Sequence, residues 1–165
     1  MRVGLLTISD RGATGEYVDR SGALMAKMIR ENTPWEITHQ EIVPDELDAI
    51  VNTLNNWCDI GVNLVLTSGG TGFAPRDITP EATLQVIERE APGIAEALRA
   101  ESLKVTRHAM LSRGVAGIKR NTLIINLPGS PKAVRENFEV LLPILPHGLD
   151  LLSGAPGSEK QHRTV

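Results

Sequence analysis

The chain has 165 residues, 41% hydrophobic and 22% charged, which suits one globular domain with a substantial core. A net charge of −3 and an aromatic content of 3% exclude a general nucleic-acid binder, which needs a basic field or a base-stacking platform. One cysteine, Cys58, excludes an internal disulfide and points to a reducing, cytoplasmic compartment. No apolar run reaches membrane-spanning length, and Met1-Arg2 leads into a strand rather than a signal peptide.

Val3, Leu5, Leu6 and Ile8 mark a first strand over 3–8, ending in the polar loop Ser9-Asp10-Arg11-Gly12-Ala13-Thr14-Gly15. Apolar residues at Leu24, Met25, Met28 and Ile29 predict a helix over 17–29, broken by Asn32-Thr33-Pro34. Alternation over 35–43 gives a second strand. Pro44-Asp45-Glu46 opens a helix with Leu47, Ile50, Val51, Leu54 and Trp57 on one face. Cys58 follows Trp57 and reads as a buried structural thiol, with no basic neighbour to activate it.

The next stretch, 62–77, organises the rest. A short branched run ends at once in Thr67-Ser68-Gly69-Gly70-Thr71-Gly72, and Asp77-Ile78-Thr79-Pro80-Glu81 then starts a helix. Thr79 reads as its N-cap, Pro80 as the first helical residue and Glu81 as a complement to the helix dipole. Glycines allow backbone N–H groups to approach an anion, and the hydroxyls of Thr67, Ser68 and Thr71 can add hydrogen bonds. Alone, such a cluster is equally a tight turn. It lacks the Gly-Lys-Ser/Thr ending of a nucleotide P-loop. Asp77 would repel a phosphate unless a cation lay between them, so the pair suggests Mg²⁺.

Helical patterns follow to about residue 89 and over 94–103, around Ala91-Pro92-Gly93. Met110-Leu111 and 114–118 read as short strands of an irregular hairpin. Residues 122–127 form a buried strand ending in Pro128-Gly129-Ser130-Pro131. A helix over 134–145 tolerates or kinks at Pro143, 147–152 reads as its extension, and 153–165 is a polar tail. Strands and helices alternate with short connections, which predicts one three-layer α/β domain over 1–152 with right-handed crossovers.

In a parallel sheet the loops at 9–15, 67–77 and 128–132 share the carboxyl edge, with Asp45 after the second strand. Asp45 and Asp77 are each also readable as helix-entry carboxylates. Their shared position beside the glycine loop makes a two-carboxylate Mg²⁺ site, direct or through metal-bound water. Lys132 opposes a helix dipole, which an anion would explain, and Arg11, Arg76 and Arg113 together could clamp a polyphosphate. His39, His108, His147 and His162 lack metal-ligand spacing, and no serine has an adjacent base.

Taken together, Thr7-Ile8-Ser9-Asp10-Arg11, Val43-Pro44-Asp45, the glycine loop, Pro75-Arg76-Asp77-Ile78-Thr79-Pro80-Glu81, Met110-Leu111-Ser112-Arg113 and Asn126-Leu127-Pro128-Gly129-Ser130-Pro131 resemble the molybdopterin adenylyltransferase family, the MogA-type and gephyrin G-domain proteins. The resemblance implies a three-layer α/β/α fold with a mostly parallel, partly antiparallel sheet, usually a homotrimer. It implies AMP transfer from Mg-ATP to the terminal phosphate of molybdopterin, release of pyrophosphate, and hand-over to a molybdate-inserting enzyme. It places the essential aspartates on Asp45 and Asp77. Substrate contacts fall on Ser9, Asp10, Thr67, Ser68, Gly69, Gly70, Thr71, Gly72, Ser112, Pro128 and Gly129, while Ser130 stands where relatives vary. Competing readings are a non-catalytic molybdopterin carrier or scaffold, a MoaB-type paralogue with another assembly state, and a generic phosphate-sugar-binding domain. Only the last leaves the joint landmarks unexplained.

Overall fold

The structure, a computed structural model, describes residues 1–154. Six strands form one sheet in the order β2-β1-β3-β6-β5-β4. Strands β1 (Arg2–Ile8), β2 (Glu36–Val43), β3 (Leu64–Ser68) and β6 (Thr122–Leu127) are parallel. Strands β5 (Ala116–Lys119) and β4 (Arg89–Glu90) continue the sheet antiparallel. The expected mixed, mostly parallel architecture is therefore present.

Alternation along the strands builds two cores. Val3, Leu5, Leu64, Leu66, Leu123 and Ile125 face one side, where Met25, Leu98, Phe138 and Leu149 complete the packing. These come from α2 (Arg20–Asn32), α5 (Pro92–Val105), α6 (Pro131–Leu141) and α7 (Leu145–Ser153). Leu6, Ile8, Val65 and Ile124 face the other side, against Ile50, Leu54, Trp57 and Val86 of α3 (Leu47–Asp59) and α4 (Thr79–Val86). Gly4 makes room for this second layer: a Cβ there would lie 2.5 Å from the Trp57 ring.

Several local expectations are corrected. The first loop contains a one-turn helix, α1 (Asp10–Ala13), because the Ser9 side chain accepts from the Gly12 N–H. The next helix begins at Arg20, not residue 17, where Asp19 accepts from the Gly22 N–H. Ile78, not Thr79, occupies the cap of α4, and Thr79 is its first helical residue. Met110-Leu111 belongs to a 3₁₀ turn, Arg107–Leu111, rather than a strand. The helix expected over 134–145 instead starts at Pro131 and stops at Leu141, and α7 begins separately beyond Pro143. Proline has no N–H to continue the ladder. Ser153 ends α7 and Gly154 caps it with φ 67°; the rest of the expected tail lies outside the described residues.

The order β2-β1-β3 places the chain's change of direction between β1 and β3. Crevices beyond the carboxyl ends of strands at such a switch are ligand sites. The glycine loop leaves β3 there, beside the loops after β1, β2 and β6.

Candidate active site

Glycine is required at two successive positions of the central loop. Gly69 has φ 103° and Gly70 φ 62°, both in the left-handed region. The loop is held from below by Thr79, whose Oγ1 donates to the Gly69 carbonyl at 2.9 Å and whose N–H donates to the Gly70 carbonyl at 3.1 Å. The N–H of Gly69 is committed to the Leu127 carbonyl. Among the described residues, no group accepts from the N–H of Gly70, Thr71 or Gly72. Consecutive N–H donors in such a turn are the elements from which anion-binding concavities are built.

The hydroxyls at the base of the loop do not serve that concavity as expected. Thr67 is 0% exposed and its Oγ1 accepts from Asn126 Nδ2 at 3.0 Å. Ser68 is 1% exposed and donates to the Pro128 carbonyl at 3.0 Å. Both side chains tie the end of β3 to its neighbour, Thr67 to Asn126 of β6 and Ser68 to Pro128 just beyond it. Thr71 and Gly72 line a cavity of about 260 Å³ with Ser112, Pro128 and residues of α5 and α6. Ser9, Ser68, Gly69 and Gly129 line a second recess of about 190 Å³, with Arg11, Tyr17, Asp19 and Ser21. The glycine loop and Pro128-Gly129 thus form a wall touching both spaces.

Asp10 is a brace as well as a rim residue. Its N–H donates to Asp45 Oδ2 at 2.9 Å, and the Asp45 N–H donates back to Asp10 Oδ1 at 3.0 Å. Arg76 grips both Asp10 oxygens, through Nε at 2.9 Å and a terminal nitrogen at 2.7 Å. That guanidinium holds the Asp10 carboxyl below the usual carboxylate range. Asp45 moves the other way. Burial pushes its carboxyl up; the Asp10 N–H opposes this, and the charges of Asp10 and Asp77 add to the rise. Asp45 Oδ1 lies 3.1 Å from where a Cβ on Gly70 would sit, and Asp77 Oδ2 lies 2.9 Å from the corresponding point on Gly72. Both aspartates therefore border the glycine loop.

Among the described residues no group of three or more His, Cys, Asp or Glu side chains forms a metal cluster. Mg²⁺ does not need one, since it is commonly held by one or two carboxylates, substrate phosphates and water. The hard oxygen donors of Asp45 and Asp77, electrostatically coupled and beside an anion loop, fit that requirement.

The cations expected to clamp a polyphosphate have structural duties. Arg113 donates through Nε to the Gly72 carbonyl and through a terminal nitrogen to the Asp77 carbonyl, both at 2.7 Å, and pairs with Glu81. It ties the glycine loop, Asp77 and the start of α4 into one unit. A lysine cannot reproduce that fork. Arg113→Lys is expected to cost about 2 kcal/mol in chemical denaturation and to raise substrate KM, as the loop loses its tether. Arg11 lies over the Tyr17 ring at 5.5 Å. Lys132 pairs with Glu136 at 3.8 Å, one helical turn away, which gives it a local partner. Ser130 caps α6 by accepting from the Ala133 N–H. Burial pushes the Cys58 thiol up, so it is inert as a nucleophile.

Four residues around the site have roles that the sequence does not reveal, although Thr79 and Asn126 fall within its landmark stretches. Thr79 and Asn126 hold the loop, while Asp19 and Ser21 join the second recess to its neighbours. Thr7 donates to Asp19 at 2.6 Å, and Ser21 to the Gly129 carbonyl at 2.7 Å. Thr79 has a helix-start cue in the sequence, whereas the capping role of Asp19 emerges only from its bond to the Gly22 N–H.

A sequence family described as "Probable molybdopterin binding domain" matches residues 4–147. The chain belongs to this family. The molybdopterin-binding family thus covers every loop of the site. The chain is 46% identical over 157 residues to a Helicobacter pylori protein named molybdopterin adenylyltransferase, covering 93% of this chain and 89% of that one. It is 43% identical to Dictyostelium discoideum gephyrin over 98% of its own length, but spans about a quarter (24%) of that relative. Among solved structures, the molybdopterin biosynthesis enzyme MoaB of Thermus thermophilus superposes with a TM-score of 0.88 at 50% identity. That match covers 94% of this chain and 98% of the other.

Proposed function

We propose that this protein transfers AMP from Mg-ATP to the terminal phosphate of molybdopterin, releasing pyrophosphate, in molybdenum cofactor biosynthesis. The observation that carries the reading is the rim itself: three donor N–H groups at 70–72, with Asp45 and Asp77 beside them, at the switch point of the sheet. The similarity to the H. pylori adenylyltransferase supports the choice of reaction.

Joining a phosphate to the α-phosphorus of ATP brings two anions together, so the barrier is mainly electrostatic and positional. Mg²⁺ bound between Asp45, Asp77 and the substrate phosphates would neutralise charge and orient the displacement. The chain's own contribution is a set of fixed N–H dipoles that need no reorganisation as charge builds on the reacting phosphate. Glycine at 69 and 70 brings those donors close, Thr79 and Arg113 hold them still, and the Asp10–Arg76 brace fixes Asp45. No covalent enzyme intermediate is needed, consistent with serines that lack an adjacent base.

Asp45 must be ionised to act. Because its carboxyl is raised, the acid limb of kcat/KM is expected above the ordinary aspartate value of about 3.9. The native state holds the Asp45 proton more tightly than the unfolded chain, so its contribution to stability is present in acid and lost as pH rises through the native value. Asp45→Asn is therefore expected to abolish turnover while leaving Tm at neutral pH unchanged or higher. A pH–rate profile with thermal melts of that variant checks both signs.

A homotrimer, cytoplasmic location and hand-over of adenylylated molybdopterin to a molybdate-inserting enzyme belong to the same proposal. The similarity to a MoaB structure favours one further reading, a MoaB-type paralogue with similar chemistry and another assembly state. Molar mass in solution separates the two. Pyrophosphate release that requires both molybdopterin and Mg²⁺ tests the reaction; molybdopterin binding without release would leave only a carrier.

A further inference from the structure

The cavity of about 260 Å³ beside Thr71 and Gly72 has a composition at odds with a purely anion-binding site. Most of its wall surface is apolar, with Ala95, Leu98, Leu111 and Pro128 beside polar groups such as Ser102 and His108, a mixture that suits a flat ring with polar edges. Yet one carboxylate, Glu136, lines it, and it is the only one among the described lining residues. Its side chain is 31% exposed, and its ion-pair partner Lys132 is 78% exposed and 3.8 Å away. That contact is too long and too solvated to account for a half-buried carboxylate. A carboxylate facing a site for a phosphorylated substrate costs electrostatic energy unless the substrate itself presents donors to it.

We propose that Glu136 recognises the pyrimidinone edge of the pterin, accepting from its 2-amino group and ring N3–H, while the phosphate end of the substrate lies at the glycine loop. The identity of the pterin rests on the function proposed above. An ionised carboxylate only accepts hydrogen bonds. A pterin offers two adjacent donors at N2 and N3, which match its two oxygens. Adenine instead offers a donor flanked by ring-nitrogen lone pairs, one of which a carboxylate would repel. The fold supplies suitable spacing: Glu136 stands five residues into α6 from Pro131, about 8 Å along the helix from the Pro128-Gly129 loop. Nearby, Asn137 is 3% exposed and fixed by bonds from Nδ2 to Ser102 Oγ and the Ala133 carbonyl. Arg99, tied to the Gly114 carbonyl at 2.8 Å, is the guanidinium of the same cavity and a donor for the ring carbonyl.

Two fluorescent probes test this without turnover. 6-Hydroxymethylpterin carries the 2-amino group, and the corresponding lumazine carries a carbonyl there. The wild-type protein is expected to bind the pterin at least about tenfold tighter than the lumazine. Glu136→Gln should lose most of that discrimination with an unchanged thermal melt. Lys132→Ala, which removes the ion pair from the solvent side, should keep it. Adenosine affinity should be the same in all three proteins. Equal pterin and lumazine binding by the wild type would overturn the proposal. So would a Glu136→Gln variant that weakens adenosine rather than pterin. Preserved Glu136-dependent pterin selectivity in a protein that releases no pyrophosphate would sink the adenylyl-transfer reading and leave this one standing.

Discussion

Asp77→Asn is expected to lower kcat/KM for adenylyl transfer by about a hundredfold or more, and Asp77→Ala at least as much. A hundredfold corresponds to about 2.7 kcal/mol of lost transition-state stabilisation, within reach of one group acting on developing charge. The asparagine variant is the cleaner test. Asp77 Oδ2 accepts from the Ala74 N–H at 2.9 Å, a bond that an asparagine oxygen can keep. The Asp77 carbonyl bound by Arg113 is main chain and survives either change. Stability should therefore stay within about 0.5 kcal/mol of wild type for Asp77→Asn. The remaining activity should demand more Mg²⁺. Full activity with ordinary Mg²⁺ dependence would remove Asp77 from the metal rim.

The second large effect is on the scaffold. Gly69→Ala is expected to destabilise the protein by about 3–5 kcal/mol, combining left-handed backbone strain with overpacking. Gly69 has φ 103°, and its added Cβ would lie 2.3 Å from the Ile8 carbonyl. That oxygen is at the end of β1, paired in register with β2 and β3, so it cannot rotate away as a side chain would. Gly129→Ala is the matched control. Its Cβ would meet Gly69 Cα at 3.4 Å, an ordinary contact, with no left-handed φ required. It should cost less than about 1 kcal/mol. Urea denaturation of the two variants gives the comparison; similar losses would show that tight approach at 69 is not what the fold depends on.

The parallel half of the fold was legible because its strands are short branched runs between helices of clear period. Val3, Leu5, Leu64, Leu66 and Ile125 bury one face, and Leu6, Val65 and Ile124 the other. Strand β4 was not legible, since Arg89 and Glu90 are exposed and form only two residues of edge pairing. The 3₁₀ turn at Arg107–Leu111 misled in the same way: exposed Met110 and Leu111 carry strand-like residue types without a strand's burial.

The aspartates of the site were readable through topology, because each follows a parallel strand and so reaches the same edge. Side-chain direction was not. Nothing local says that Thr67 turns towards Asn126 and away from the loop, or that Asn126 also reaches Thr83. Nor does a local pattern join Arg76 to Asp10, 66 positions apart, or Arg113 to Gly72, 41 positions apart. Arg76 and Arg113, which look available for a polyphosphate in the sequence, are struts that hold Asp10 and the glycine loop in place.

The most direct measurement follows the α-phosphate. With ATP labelled at the α-phosphorus, molybdopterin and Mg²⁺, the protein is predicted to move the label onto molybdopterin and release one pyrophosphate per transfer. Label that stays in ATP, while molybdopterin is bound and no pyrophosphate appears, would contradict the proposed chemistry.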